Sequence, residues 1–591
     1  METLGETPWD VVLSGTGLSQ SLLALALSRS AKKVLHVDQN EYYGGTEAAL
    51  SLQEIEAWVE KVNDATRPSP FRNAILQKEE EQNSDPASSL GFSRAYSISL
   101  SPQLIYTRSN LLPALVSAKV HAQLEFLAVG SWWIYSKASD SRDLENGPTP
   151  DAPAGELRRI PGGREDVFSD KSIDLRSSRS LMKFLKLAAD PQNHPAVLEA
   201  WGSKAFPEYL LSEFKISKSL QAPLLALTSS PHPAEQTLTS LAIPRIHQHL
   251  TSIGLFGPGF GAVLPRWGGL SEIAQVGCRA GAVGGGVYVL NKAIENFELV
   301  SKATEQEAPS GSDFPKPPLR LRLNGGEEIE AHLIVGSDED LPQHEPSPAG
   351  PDTVQISQSI AIISSPLSSL FYLAAEGAPP PAATVVVFPT GSLDLDDILP
   401  TEKVPPVYLT VHSSDTGECP NGQSIIYGHT SLPQPHASTL LSLATQTLLN
   451  SIPPSPDPKP LILWTLLYTR FHHIPTSQNS PHCQSPSASS PSLPASATVS
   501  TPNGLPSYTS DSQIINLPPP PPGLAIDDSV LKSVREAWAK INGGDDGTFL
   551  LFEERTDLGE GEEADELGKD AAEEGLDPAG SDSQDRDGER E

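Results

Sequence analysis

The chain has 591 residues, long enough for several domains with buried cores, but its composition limits how much of it can be packed. It contains 56 prolines and 44 glycines, only 6% aromatic residues, and a formal net charge of −33. Residues 553–591 alone carry 17 acidic and 4 basic side chains. Such a segment buries too little apolar surface to offset its chain entropy, so we expect a disordered acidic tail. The acidic balance also argues against nucleic acid as a ligand.

The three cysteines, Cys278, Cys419 and Cys483, are far apart and lack the spacing of a metal site. So few cysteines indicate a reducing compartment. The N-terminal residues lack the apolar run of a signal peptide. No uncharged apolar run approaches the roughly 20 residues that cross a bilayer. We therefore expect a cytoplasmic protein without a bound metal.

The first predicted elements are a strand, a tight turn and a helix. The β-rich run Val11–Leu13 precedes Gly15 and Gly17, and the helix-compatible run SLLALALSRS follows. In a dinucleotide site, such glycines let the backbone approach a pyrophosphate, and an acidic residue about 20 positions on binds the ribose. Asp38 ends the next strand, KKVLHVD, at that place, but Gln20 replaces the third glycine of the fingerprint. Both a flavin or nicotinamide site and a vestigial turn are compatible with this pattern.

Beyond this point the pattern becomes helical and then β-rich. A helix is predicted where Leu181, Phe184 and Leu185 fall at i, i+3 and i+4. Later, LRLRLNGGEEIEAHLIVGSD predicts a hairpin with an Asn-Gly turn. The predicted parts are a large dinucleotide-fold-like domain, first part (1–125), a connecting segment (126–165), a helical domain (166–252), the second part of the large domain (253–472), a Ser/Pro-rich linker (473–523), a C-terminal helix and strand (524–552) and the acidic tail (553–591).

The expected fold class is therefore α/β. An FAD/NAD(P)-binding-like large domain is built from discontinuous segments, a small α-helical domain is inserted into it, and the insertions and the acidic tail are disordered. Histidine runs such as RIHQHL and RFHHIP lack spaced carboxylate or cysteine companions, so they predict no metal site.

A second motif begins in the strand that ends at Asp38. The run VLHVDQNEYYGG resembles the signature of the Rab GDP-dissociation inhibitor and Rab escort protein superfamily. YSISLSPQLIYTRSNLLPAL and PRWGGLSEIAQVGCRAGAVGGGVYVLN resemble later blocks of that superfamily, in the same order. The resemblance implies that the flavoprotein-like fold persists without redox use, and hence without a cofactor. The insertions, the tail and the segments REDVFSDKS and RSLMKFL are more similar to the escort branch, the accessory component A of Rab geranylgeranyltransferase.

The resemblance implies a binding protein without catalytic residues. Its implied partners are GDP-bound Rab GTPases, the alpha/beta heterodimer of the geranylgeranyltransferase, the geranylgeranyl lipid and, transiently, membranes. The residues implied to bind Rab are Tyr42, Tyr43, Gly44, Gly45, Arg179 and Lys183. The candidates for sheltering the lipid are Leu181, Phe184, Leu185, Phe214 and Leu250.

Two positions depart from the family pattern. Ser177 stands where the family commonly has an acidic residue, and Gly277 stands where it usually has an aromatic residue, so the transferase contact is expected to differ. Each group of candidates also has an alternative interpretation that is purely structural. The apolar lipid-shelter candidates would be ordinary core, Arg179 and Lys183 would be a solvated helix edge, and the glycines would only form a turn. Two other functions stay open, a Rab GDP-dissociation inhibitor that recycles prenylated Rabs and a flavin-dependent oxidoreductase.

Overall fold

The structure, a computed structural model, is organised by two large β-sheets. It describes residues 4–30, 32–64, 69–78, 89–137, 155–161, 174–299, 318–342, 353–373, 377–395, 398–453, 459–473, 513–545 and 547–551. Contacts join the described residues up to Leu550 into one compact unit. Among the described helices, none combines the length and the apolar character that crossing a membrane requires.

The strands and helices are numbered in chain order. The strands are β1 (Trp9–Ser14), β2 (Val34–Asp38), β3 (Ala49–Leu50), β4 (Phe71–Lys78), β5 (Ile98–Ser99), β6 (Ile105–Tyr106), β7 (Phe126–Lys137), β8 (Gly155–Arg159), β9 (Ala262–Pro265), β10 (Val287–Leu290), β11 (Ile294–Leu299), β12 (Leu319–Leu323), β13 (Glu328–Gly336), β14 (Thr353–Ile363), β15 (Ala383–Phe388), β16 (Val407–Ser413), β17 (Ser424–Thr430), β18 (Ile462–His473) and β19 (Ile514–Asn516). The helices are α1 (Leu18–Ser28), α2 (Leu52–Asn63), α3 (Leu111–Ser117), α4 (Leu175–Ala188), α5 (Pro195–Trp201), α6 (Phe206–Phe214), α7 (Lys218–Leu227), α8 (Thr239–Ser252), α9 (Leu270–Val283), α10 (His436–Ser451) and α11 (Ser529–Asn542).

The seven-stranded sheet has the order β10-β2-β1-β13-β12-β11, and β19 also pairs with β13. Strands β10, β2, β1, β13 and β19 are parallel, whereas β12 pairs antiparallel with both β13 and β11. Helices α1, α9 and α11 contribute to the core on one face. The predicted hairpin is confirmed as β12 and β13, and Gly325 and Gly326 take positive φ values of 110° and 87° at its turn. This half of the molecule carries the glycine-rich turn that follows β1.

The ten-stranded sheet has the order β4-β18-β14-β17-β16-β15-β7-β9-β6, with β8 paired to β7. Helix α10 packs against β14, β16 and β17. The core of helices α4, α6, α7 and α8 includes side chains of β7, β15 and β16. Val129, Trp132 and Tyr408 are among these strand residues, so the helical segment and the sheet share one hydrophobic cluster.

Three parts of the predicted organisation need correction. The segment 126–165 is not merely a connection, because its described residues form β7 and β8, and β7 is rich in the aromatic and β-branched residues that favour strands. The predicted linker 473–523 ends in strand β19 and a buried Leu517. Its backbone pairs with β13, which its Ser/Pro-rich composition did not suggest. After α11 the described residues 547–551 contain a turn and no strand. The tail 553–591 and most of the linker lie outside the described residues.

Candidate functional site

The glycine-rich turn after β1 is closed by an acidic side chain of the same chain. Gly15 has a φ of +89°, which glycine adopts without strain, and its N–H donates to the Val37 carbonyl at 2.8 Å. A Cβ added to Gly15 would lie only 2.1 Å from Oδ2 of Asp340. Burial raises the pKa of Asp340 well above its usual range, and the charges of Asp38 and Glu339 raise it further. The backbone of this turn therefore faces a carboxyl group at close range.

Asp38, the residue expected to bind a ribose, is occupied by its own chain. Its Oδ2 accepts hydrogen bonds from the N–H and the hydroxyl of Thr16, at 2.7 and 2.6 Å. Its Oδ1 accepts from the N–H and the side-chain amide of Asn40, at 2.7 and 2.9 Å. Burial raises the pKa of Asp38, while these hydrogen bonds lower it. The carboxylate fixes the turn rather than presenting acceptors to a ligand.

Glu47 lies at the N-terminus of α1, where a dinucleotide fold places the pyrophosphate. Its Oε2 accepts the backbone N–H of Leu18 at 2.9 Å. Its Oε1 lies 3.4 Å from Nη2 of Arg470, and both side chains are fully buried. Burial raises the pKa of Glu47, and the charge of Arg470 is the largest influence that lowers it. A carboxylate thus takes the favourable position for an anion at this helix end.

Gln20, the third fingerprint position, completes the closure. Its side chain is buried, and its Nε2 lies 3.4 Å from Oδ2 of Asp340 across the turn. A pyrophosphate placed here would meet the carboxyl groups of Glu47 and Asp340 and the bulk of Gln20. The residues at this turn therefore do not fit a dinucleotide cofactor, for steric and electrostatic reasons.

The YYGG loop, Tyr42–Gly45, lies directly against the same turn. The N–H of Gly44 lies 3.2 Å from the Thr16 carbonyl and 3.1 Å from its hydroxyl. Gly44 has a φ of +103°, and a Cβ there would approach the Ala48 Cα and the Ser271 Oγ at 3.0 Å. A larger residue would be strained at this position. Gly44 is therefore required by the backbone, whatever the loop contacts outside the chain.

The two tyrosines of the loop differ in their surroundings. Tyr42 is partly buried and packs against a core cluster that includes Trp58 and Phe71. Tyr43 is also partly exposed. Burial is the main cause that raises the pKa of Tyr43, and electrostatic interactions with Cys278 and Asp38 raise it further. Tyr43 is a rigid aromatic side chain with part of its surface open to solvent, which suits an interface anchor.

Arg179 and Lys183 lie on the exposed side of α4. Nζ of Lys183 lies 5.6 Å from the centroid of the Phe214 ring. The helix begins at an N-cap, Asp174, whose side chain accepts the N–H of Ser177 at 2.8 Å. Asp174 is thus an acidic residue at the start of this helix, and the departure from the family pattern at Ser177 remains. Whether Arg179 and Lys183 contact a partner stays a prediction.

The lipid-shelter candidates belong to the core of the helical segment. Phe184 is fully buried, with its ring centroid 5.8 Å from that of Phe206 and 5.4 Å from that of Phe214. Leu181 and Phe214 are also buried, and Leu185 and Leu250 are partly buried against the same cluster. Contact of these side chains with a lipid would require the helices to separate. The shelter stays a prediction, and the described packing is that of an ordinary core.

Gly277 does not mark an external surface. It is buried in α9, and a Cβ there would meet Ser21 of α1 at 3.6 Å. Gly277 therefore lies in the contact between α9 and α1, and a different contact with the transferase stays a prediction. Cys278 and Cys419 are buried too, and burial raises the pKa of each thiol to about 12. Among the described residues, no group of three or more His, Cys, Asp or Glu side chains could hold a metal ion.

Sequence reasoning missed Glu47, Arg470 and Asp340. Glu47 lies two residues after the YYGG motif, and Asp340 follows the end of a parallel strand, so both positions carried a local signal. Arg470 carried no local sequence signal, because its contact with Glu47 forms only in the tertiary structure.

The fold defines a class, that of flavoprotein-like α/β proteins in which the dinucleotide turn is closed by the chain's own side chains. The model of the family described as GDP dissociation inhibitor matches residues 5–308, and the chain belongs to this family. The family membership predicted from VLHVDQNEYYGG is thereby confirmed.

Relatives and solved structures agree with this membership. Over 440 residues the chain is 27% identical to Rab proteins geranylgeranyltransferase component A of Saccharomyces cerevisiae, covering 74% of this chain and 64% of the relative. Over 427 residues it is 26% identical to the protein of the same name from Candida albicans, covering 71% and 59%. The chain thus spans about three-fifths of the length of these relatives. The crystal structure of Rab GDI from Plasmodium falciparum shares the fold, with a TM-score of 0.56, 15% identity, and coverage of 91% of this chain and 98% of that one.

Proposed function

We propose that this protein is a Rab escort protein. It binds GDP-bound Rab GTPases, presents them to the Rab geranylgeranyltransferase heterodimer and carries the prenylated Rab to membranes. The observation that carries the proposal is the YYGG loop, which the closed dinucleotide turn fixes through the contact of Gly44 with Thr16. The names of the two component A relatives favour the escort branch.

The proposed task is binding, and it assigns a role to each candidate region. Tyr43 anchors the folded domain of the Rab, and Arg179 and Lys183 offer positive charge to acidic groups of the partner. Prenyl transfer is left to the partner enzyme, so the chain is a non-catalytic accessory. Its work takes place in the cytoplasm, with transient contact at membranes.

The lipid explains why a carrier is needed after the reaction. Burying a prenyl chain is favourable by about 0.8 kcal/mol per CH₂ group, so a bare geranylgeranyl chain is strongly disfavoured in water. Opening the helical segment around Phe184 and Phe214 would supply apolar surface for it. Holding the Rab domain and its tail on one carrier also raises the concentration of the tail at the transferase.

The decisive experiment is prenylation in vitro. A Rab·GDP, the transferase heterodimer and geranylgeranyl diphosphate are combined with and without this protein. We expect prenylated Rab only in its presence, and the product should remain in a soluble complex with it. Equal prenylation in both reactions would reject the escort function.

The alternative is a Rab GDP-dissociation inhibitor. The fold shared with a Rab GDI favours it as much as an escort protein, because fold alone does not separate the two branches. An inhibitor would bind prenylated Rab·GDP and leave the transferase reaction unchanged. No observation favours a flavin-dependent oxidoreductase, since the turn that would hold the cofactor is filled by Glu47, Asp340 and Gln20.

A further inference from the structure

Arg470 is a buried cation on which three separate parts of the chain converge. It lies on β18 and is 1% exposed. Its Nη1 donates to the Ser101 hydroxyl at 2.9 Å, and its Nη2 donates to the Pro520 carbonyl at 2.8 Å. The same Nη2 lies 3.4 Å from the Thr46 hydroxyl and 3.4 Å from Oε1 of Glu47. A guanidinium suits this position because its planar group presents several donors at fixed angles.

Through Glu47, the guanidinium contacts the end of the loop that carries Tyr43. Glu47 bonds the Gly44 carbonyl through its backbone N–H at 2.8 Å, and its carboxylate caps Leu18. The Thr46 hydroxyl also donates to the Glu47 carboxylate. A short loop with two glycines has much conformational entropy to lose, so it keeps one shape only if such contacts hold it. Arg470 supports these contacts from the side of the ten-stranded sheet.

The third part is the C-terminal segment Leu517–Gly523. Proline has no backbone N–H, so the carbonyls of this proline-rich run depend on donors from elsewhere. Besides Pro520, the Pro521 carbonyl accepts Nε2 of Gln103 at 2.9 Å, and the Pro518 carbonyl accepts the Ser19 hydroxyl at 3.2 Å. The segment therefore lies across the start of α1. Nη2 of Arg470 contacts both this segment, at Pro520, and the Tyr42–Glu47 loop, at Glu47.

We propose that Arg470 is a positioning residue for partner binding: it holds the Tyr42–Glu47 loop in the shape that presents Tyr43 and couples that loop to the C-terminal segment Leu517–Gly523. This inference rests on the proposed function, since the partner is the Rab GTPase. Arg470 is 1% exposed and does not touch the partner itself. It acts through Glu47 and the loop.

The test compares the affinity for Rab·GDP in five variants by fluorescence titration. Arg470→Met removes the guanidinium but keeps a long side chain, and Glu47→Gln keeps an oxygen that can accept the Leu18 N–H. We expect affinity to fall about tenfold or more in Arg470→Met and less in Glu47→Gln. In a Tyr43→Ala background, Arg470→Met should cause at most about a twofold further loss, because it acts through Tyr43. Leu448→Ala in α10, a buried core residue with no contact to the loop, is the control for general destabilisation.

Amide hydrogen exchange supplies a readout that does not depend on any partner. Arg470→Met should lose protection at Gly44 and Leu18, whereas Leu448→Ala should keep it. Unchanged affinity and protection in Arg470→Met, or additive losses with Tyr43→Ala, would overturn the inference. If the unmodified protein fails to bind Rab, the proposed function is rejected, while hydrogen exchange still decides whether Arg470 holds the loop. If Arg470→Met does not fold, Rab·GDP affinity and amide protection are compared in Glu47→Gln and Thr46→Val instead.

Discussion

The Glu47 carboxylate and the backbone N–H of Leu18 lie 2.9 Å apart at the first turn of α1. In a dinucleotide-binding fold this position belongs to a phosphate, because the positive end of the helix dipole and its unpaired N–H groups attract an anion. Here the anion is supplied from the loop that follows the second strand. At this helix end the anion position is therefore occupied by a side chain that also contacts Arg470.

The purified protein is expected to carry no flavin or nicotinamide. Glu47 already supplies the anion at this helix end, and Asp340 and Gln20 obstruct the space that a pyrophosphate would need. The measurement is the absorbance and fluorescence of the supernatant after denaturation. Cofactor released in amounts equal to the protein would contradict the assignment of the turn as closed.

Replacing Tyr43 by alanine is expected to weaken Rab·GDP binding by about 2 kcal/mol or more, because truncating an aromatic anchor removes much of the contact area. The matched control is Tyr372→Ala. Tyr372 is another exposed tyrosine, 48% accessible, and its ring lies 4.3 Å from the guanidinium of Arg159. Both variants should keep the circular dichroism spectrum of the unmodified protein. If the two variants bind Rab equally well, Tyr43 is not an anchor.

Phe184→Ala is expected to lower the free energy of unfolding by about 3–5 kcal/mol, as is usual when a fully buried phenylalanine is removed. Leu185→Ala, one position along the same helix but only partly buried, should cost less. Urea unfolding at neutral pH measures both. A smaller effect at Phe184 than at Leu185 would mean that the helices around Phe184 are already loosely packed in solution.

His429 is expected to make the protein less stable as the pH falls from 6.5 to 4. Burial lowers the pKa of His429 to about 4 from its ordinary 6.5, so in this range the unfolded chain binds a proton that the folded chain does not. Protonation therefore favours unfolding, by about 2 kcal/mol at pH 5, and the effect is absent above pH 6.5.

The comparison variant for this pH effect is His429→Phe. It preserves the stacked contact with Tyr408, where the ring centroids lie 5.3 Å apart and the planes differ by 10°. The difference in unfolding free energy between pH 7.5 and pH 5 should be about 2 kcal/mol smaller in the variant than in the unmodified protein. If the unfolding free energies of the two proteins change with pH in the same way, the pKa of His429 is not lowered by burial.

Several features of this protein were determined by local sequence alone. The run around Val11–Leu13, Gly15 and Gly17 predicts the first strand, turn and helix, and Leu181 and Phe184 predict the helical segment; both are present. VLHVDQNEYYGG predicts the family. These signals survive in sequence because hydrophobic spacing and glycine placement act within a few residues.

The tertiary structure alone decided what closes the dinucleotide turn. Asp340 is 302 residues from Asp38, and Arg470 is 423 residues from Glu47, so no local pattern links these side chains. The same holds for Ile514–Asn516, where backbone pairing with the distant strand β13 overrode the Ser/Pro-rich composition. Charge pairing and strand pairing depend on which surfaces meet after folding, whereas turns and helices depend on neighbours along the chain. The sequence thus identified the fold and the loop, and only the folded chain brought together Glu47, Arg470 and Leu18 to hold that loop in place.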